Sequence, residues 1–279
     1  MTALPFRTAG VAGWPVAHSR SPKLHGYWLA QHNIPGAYLP LPVRPGEVAI
    51  ALRGLAALGF AGCNVTVPHK EAALATADSV DPVARRIGAA NLIVVQPDHS
   101  LHASNTDAFG FLENLRTCAP GWQAMLGPAV VLGAGGSARA VVAGLCDAGC
   151  PDVRLLNRTR ARAESLAEDL GGAVTVLDWD QRHAALEGAA LLANSTTQGM
   201  HGQPPLEIDL SALPRTAVVT DLVYVPLETP LLAAARARGN VAVDGLGMLL
   251  HQARPSFAAW FGVMPDVTPE LRALIEATL

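Results

Sequence analysis

Charge is scarce in this sequence. Asp, Glu, Lys and Arg make up only 15% of 279 residues, the formal net charge is -3 with His neutral, and no long run of Lys and Arg occurs. A chain without a broad basic field is a poor partner for nucleic acid or an anionic membrane surface, so a small molecule is the expected partner. Cysteine is sparse as well. Cys63, Cys118, Cys146 and Cys150 form no CxxC pair and have no His at ligand spacing, which argues against a zinc site. A disulfide framework would need a denser pattern in a smaller chain. The four therefore read as reduced, mostly buried thiols, and no metal is expected. The N-terminus lacks the charged segment, apolar run and small-residue cleavage site of an export signal. Residues 117–138 carry no charge, but two Pro and five Gly interrupt them, so they do not read as a spanning helix. A cytoplasmic location is the resulting expectation. No internal repeat or low-complexity tract is visible.

What the chain does have is apolar residues, 50% of the total, punctuated by 26 Gly and 21 Pro. That composition describes a large core joined by many short connections, and the length suits two domains. In the first third, an apolar segment over 10–16 is followed by helical patterns over 22–31 and 46–58. Strand character returns over 62–67, then 91–95 and 101–103 read as a hairpin-like pair around a Pro97-Asp98 turn. From 129 onward a strand leads into a helix over 139–148 and a second strand over 153–156. Further strands fall at 174–177, 191–194, 218–221 and 241–243, as in a doubly wound parallel sheet. The tail from 248 is helical with Pro breaks. The expected organisation is an N-terminal mixed α/β domain over 1–106, completed by C-terminal helices over about 247–279, and a Rossmann-type α/β domain over 107–246.

The most explicit chemical signal is Gly133-x-Gly135-x-x-Ala138, lying between a strand and a helix. Such a turn lets a pyrophosphate approach backbone N–H groups at the positive end of the helix dipole, although glycines also serve close helix–strand packing. The second strand ends at Asn157-Arg158-Thr159, 24 residues after Gly133, where the adenine ribose of a dinucleotide should lie. An acidic residue there would favour NAD. Arg158, with Arg160 and Arg162 behind it, instead suits a dianionic 2′-phosphate, so NADP is the expected cofactor. Of the three, Arg160 reads more as a solvated helix-start charge.

A hydride enzyme also needs groups that orient a polar substrate and move a proton. Gly13-x-Pro15-x-x-His18-Ser19-x-Ser21-Pro22 offers two hydroxyls just before a helix, suited to a carboxylate or to a plain N-cap. Asn64-Val65-Thr66-Val67-Pro68-His69-Lys70 sets Asn64 and Thr66 on one side of a strand and delivers Lys70 beyond its end. Together with Gly88-Ala89-Ala90-Asn91, Ser104-Asn105-Thr106-Asp107, Asn194-Ser195-Thr196-Thr197-Gln198-Gly199-Met200, Asp221-Leu222-Val223-Tyr224-Val225-Pro226 and Gly245-Leu246-Gly247-Met248-Leu249-Leu250-His251-Gln252, these segments resemble the shikimate dehydrogenases along nearly the whole chain, in order and with the family's spacing.

The resemblance implies an NADP-dependent exchange of hydride between the nicotinamide and the shikimate/3-dehydroshikimate pair, in the pathway to the aromatic amino acids. It implies that Ser19 and Ser21 bind the substrate carboxylate, and that Asn64, Thr66, Asn91, Asp107 and Gln252 address ring hydroxyls and carbonyl, with Tyr224 lining the site. Lys70 and Asp107 would be the catalytic pair. The pyrophosphate would rest on Gly133, Ala134, Gly135, Gly136, Ser137 and Ala138, the 2′-phosphate near Asn157, Arg158, Thr159 and Arg162, and the nicotinamide near Met200, Gly245 and Met248. Gly26 stands where many members have Asn, and Leu92 where many have Thr, which leaves shikimate, quinate and an amino analogue open as the preferred ligand. A non-catalytic NADP(H)-sensing protein is the reading from another class, and the intact Lys70, Asp107 and Gln252 set argues against it. Monomer and homodimer both remain open.

Overall fold

Two six-stranded sheets organise the chain in a computed structural model that describes residues 5–279. Residues 1–4, where the first expected domain and the segment read for an export signal begin, lie outside the described residues. The chain divides into two units, one running to Thr106 and including Gln252–Thr278, the other Asp107–His251.

The first unit contains β1 (Arg7–Gly13), α1 (Ser21–Gln31), β2 (Gly36–Pro42), α2 (Val48–Ala57), β3 (Phe60–Val65), α3 (Lys70–Thr76), β4 (Ser79–Val80), α4 (Pro82–Ile87), β5 (Leu92–Val95) and β6 (Leu101–Ser104). Its sheet has the order β2-β1-β3-β5-β6-β4. β1 is parallel to β2 and β3, while β3–β5 and β5–β6 are antiparallel, the latter being the expected hairpin. The sheet packs through Val65, Ile93 and Leu101 against Leu52 and Leu55 of α2 and Ala73 of α3. Helical periodicity accounts for that burial: Val48, Leu52 and Leu55 fall on one face of α2.

In the second unit, α5 (Asp107–Cys118), β7 (Ala129–Leu132), α6 (Gly136–Asp147), β8 (Val153–Leu156), α7 (Arg160–Leu170), β9 (Val174–Leu177), β10 (Leu191–Asn194), β11 (Val218–Asp221), α8 (Pro230–Ala237) and β12 (Val241–Val243) alternate. All pairings are parallel and the order is β12-β11-β10-β7-β8-β9. Numbered within the unit this is 6-5-4-1-2-3, the doubly wound Rossmann order. β7 and β10 are buried along their whole length, as strands covered by helices on both faces should be. The chain closes with α9 (Leu246–Phe261) and α10 (Pro269–Glu276).

Several boundaries differ from the sequence reading for identifiable reasons. The first strand runs Arg7–Gly13 rather than 10–16, and residues 14–16 leave the sheet around a cis Trp14–Pro15 peptide. β3 stops at Val65, so Thr66 lies beyond the strand and is held by its N–H donating to the Ala12 carbonyl at 2.9 Å. β2 escapes the pattern because of Pro40 and Pro42, which an edge strand tolerates. Pro255 lies inside α9 without ending it. No helix among the described residues is long and apolar enough to cross a membrane.

Candidate active site

In the first unit, the turn after β1 carries the two serines. Ser21 opens α1 and is buried, its N–H meeting the Ser19 hydroxyl at 3.3 Å. Between them, Arg20 donates to the His18 carbonyl within the turn and, at 2.6 Å, to the carbonyl of Thr278 after α10, which fastens the serine turn to the C-terminal segment.

The amide side chains cluster. Asn64 in β3 accepts from the Tyr38 hydroxyl (2.7 Å), and its amide N–H groups go to the Asn91 carbonyl (3.0 Å) and Ser256 Oγ (2.9 Å). Asn91 Oδ1 accepts from the Thr106 N–H at 2.8 Å, and its Nδ2 reaches Thr106 Oγ1 (3.0 Å) and Gln252 Oε1 (3.4 Å). Three of the sequence-predicted substrate residues, Asn64, Asn91 and Gln252, thus belong to one connected network. Both Asn64 N–H groups are committed to protein, which leaves its Oδ1 as the atom able to take a further hydrogen bond. Lys70 begins α3, and its carbonyl accepts from the Ala90 N–H at 2.9 Å, tying the lysine segment to the residue before Asn91.

Tyr38, Thr106 and Ser256 are network members that sequence reasoning did not select. Thr106 stood inside a quoted segment beside Asp107, so a signal existed. Tyr38 and Ser256 lie 26 and 192 residues from Asn64, and no spacing rule reaches that far. Behind Tyr38, the fully buried His25 ring stacks at 4.0 Å. Desolvation drives its pKa down to about 3, so it is neutral and acts as an aromatic wall. Burial likewise raises the Tyr38 phenol, keeping it a hydrogen-bond donor. His69 is bound to the Val43 carbonyl at 2.7 Å, a structural role.

In the second unit, Gly133 follows β7 with φ +108°, and a Cβ there would sit 2.6 Å from Ser195 Oγ. Glycine is required on both counts. α6 starts at Gly136, three residues before the sequence pattern places it, with Gly135 as an N-cap that supplies no side-chain bond. Among the described residues its first-turn N–H groups have no side-chain partner, and they face an exposed Gly135-Gly136-Ser137 surface, the condition a pyrophosphate needs.

The arginines after β8 separate cleanly. Arg160 pairs with Glu164 and Asp178, both at 2.7 Å, whereas Arg158 and Arg162 are exposed and make no ion pair among the described residues. Cationic side chains at the first turn of α7 oppose its dipole, and an added dianion would relieve that arrangement. Asn157 donates to the Thr159 carbonyl at 2.9 Å and shapes the turn. Asp107, buried, opens α5, where its carboxylate suits the helix dipole. Tyr224 is half-buried, Met200 is exposed, and the two lie on loops after β11 and β10 that are joined by the His201 N–H to the Val225 carbonyl at 2.8 Å. Gly245 packs against the Leu222 carbonyl so closely that a Cβ would collide with it, and half-buried Met248 follows in α9.

Comparison with known proteins gives three matches to family models. Residues 11–93 match the Shikimate dehydrogenase substrate binding domain, 125–201 match Shikimate / quinate 5-dehydrogenase, and 245–275 match the Shikimate 5'-dehydrogenase C-terminal domain. A Shikimate dehydrogenase (NADP(+)) of Paramagnetospirillum magneticum is 62% identical over 269 residues, 96% of this chain and 98% of the relative. Among solved structures, a quinate dehydrogenase from Corynebacterium glutamicum in complex with NAD superposes with a TM-score of 0.91 at 30% identity, covering 98% of this chain and 100% of that one. A shikimate 5-dehydrogenase from Thermus thermophilus in complex with NADP(H) and shikimate gives 0.86 at 37% identity, with coverage of 98% and 100%.

Proposed function

The chain belongs to the shikimate dehydrogenase family, and from that premise we propose how its residues perform the NADPH-dependent, reversible reduction of 3-dehydroshikimate to shikimate. It is an NADP-dependent oxidoreductase acting on a CH–OH group. The observation that carries the substrate choice is the identity to a protein of that name, 62% over almost the entire length. The Asn64–Asn91–Thr106–Gln252 network supports it, because several oriented neutral polar groups in one place suit a ring bearing several hydroxyls.

Ser19 and Ser21 bind the substrate carboxylate. Asn64, through Oδ1, accepts from a ring hydroxyl, and Thr66, Asn91 and Gln252 complete the hold on the ring, with Tyr224 lining it. NADPH, when bound, supplies the hydride to the ketone carbon. Lys70 donates a proton to the alkoxide oxygen that develops there and takes it back during oxidation, with Asp107 as its carboxylate partner. The Gly133–Ala138 turn, with the uncapped first-turn N–H groups of α6, would hold the pyrophosphate. Arg158 and Arg162, with Asn157 and Thr159, hold the 2′-phosphate. Met200, Gly245 and Met248 form the nicotinamide end. The chain acts in the cytoplasm on small molecules, without nucleic acid or membrane.

The test is initial-rate oxidation of shikimate and of quinate, each with NADP⁺ and with NAD⁺. The highest kcat/KM is expected for shikimate with NADP⁺. A quinate or NAD⁺ preference would move the assignment to the sister activity, and NADPH binding without any turnover would leave the sensor reading in its place.

A further inference from the structure

At the C-terminal ends of β10 and β11, where ligands of doubly wound sheets bind, two fully buried polar side chains meet in register, Asn194 and Asp221. Asp221 Oδ1 accepts from Asn194 Nδ2 at 2.9 Å and from the Val223 N–H at 3.0 Å, and its Oδ2 accepts from Thr229 Oγ1 at 2.7 Å. Asn194 continues the chain of bonds. Its Oδ1 takes the Thr196 N–H (3.1 Å) and hydroxyl (2.7 Å), its Nδ2 also reaches the Gln198 carbonyl (3.2 Å), and its own carbonyl takes the Leu222 N–H (2.9 Å). The turn leading from β10 to Met200 and the loop carrying Tyr224 are therefore both strung on this pair.

No cation among the described residues pairs with Asp221, and burial pushes its carboxyl up to about 6. Its three hydrogen bonds offset part of the desolvation cost, but a buried carboxylate without a counter-ion stays costly, and apolar packing is commonly as stable or more so. Fold stability alone therefore gives no reason for an acid here, whereas the geometry of two functional loops does. We propose that Asp221, acting through Asn194, Val223 and Thr229, is a positioning residue that fixes the Met200 loop, braced by the Tyr224 loop through the His201 N–H to Val225 carbonyl bond, for the nicotinamide end of the cofactor. The proposal rests on the assignment of those loops in the functional reading above.

Asp221→Asn, which keeps the shape and removes the charge, and Thr229→Val, which removes the hydroxyl that donates to Asp221 and accepts from the Leu232 N–H at the start of α8, test it. NADPH binding, binding of 2′,5′-ADP as the adenylate half alone, thermal stability and kcat are measured for each. Asp221→Asn should weaken NADPH and lower kcat by about tenfold or more while 2′,5′-ADP stays within about twofold, and Thr229→Val should show the same pattern more weakly. Unchanged NADPH binding and kcat, or equal loss for both ligands, would overturn the proposal. If Asp221→Asn does not fold, the same discrimination in Thr229→Val decides it. Absence of shikimate turnover in the wild-type enzyme would overturn the functional reading instead, and the two binding measurements would still decide the positioning role.

Discussion

In the first unit Asn64, Asn91 and Gln252, assigned to the substrate ring, are already joined in one hydrogen-bond network, whereas in the second Arg158, Arg162 and the first-turn N–H groups of α6, assigned to the phosphates, have no side-chain partner among the described residues. The difference follows from the ligands. A neutral hydroxyl is recognised by buried amides such as Asn64 and Asn91, and buried polar groups must be satisfied by protein or water whether or not substrate is present. A phosphate is recognised by cations and backbone N–H groups that water can serve until it arrives. Arg158, Arg162 and the first turn of α6 can therefore stay exposed and uncommitted. The substrate half is organised in advance, and the cofactor half is charged in advance.

The comparison can be tested at both ends. Lys70→Ala should lower kcat by about 10²-fold or more with NADPH affinity retained, as stopped-flow and fluorescence titration would show. Unchanged turnover would remove Lys70 from proton transfer. Gly133→Ala should destabilise the cofactor unit by about 1–3 kcal/mol in thermal or urea unfolding, because the left-handed backbone and the Ser195 hydroxyl both oppose a Cβ. An equally stable variant would show that the turn can relax. Smaller again, Arg20→Ala should raise KM for shikimate about three- to tenfold with kcat nearly unchanged, because the bracing of the serine turn, at the His18 carbonyl and against Thr278, is lost. Arg160→Ala should shift KM for NADP⁺ by no more than about twofold, because its guanidinium is held by exposed ion pairs with Glu164 and Asp178.

Much of this arrangement is legible in the sequence because the informative residues are close neighbours along it. The β7–Gly133–α6 unit announces itself within ten residues, and the parallel strands of the second unit are short apolar runs bounded by turn residues. The helix start at Gly136 escapes the pattern because glycine has low helix propensity, although here it sits at an uncapped first turn where propensity matters little. β2 is hidden by its prolines, and the continuity of α9 by Pro255. In the substrate network the residues named by motif are accompanied by Tyr38, which reaches Asn64 from β2 across the intervening β1, and by Ser256 of α9, tertiary facts with no local pattern. The split among Arg158, Arg160 and Arg162 is partly readable, since Glu164 stands four residues after Arg160, but its second partner, Asp178, lies 18 residues away on the far side of β9.

The central claim is that cofactor recognition rests on uncommitted cations separate from the substrate network. The most direct measurement is steady-state kinetics of the Arg158→Ala, Arg162→Ala double variant with NADP⁺ and NAD⁺ at varied shikimate. KM for NADP⁺ should rise by roughly tenfold to a hundredfold, while kcat/KM with NAD⁺ and KM for shikimate stay within about twofold of wild type. Equal losses with both nucleotides, or a matching rise in KM for shikimate, would contradict the account.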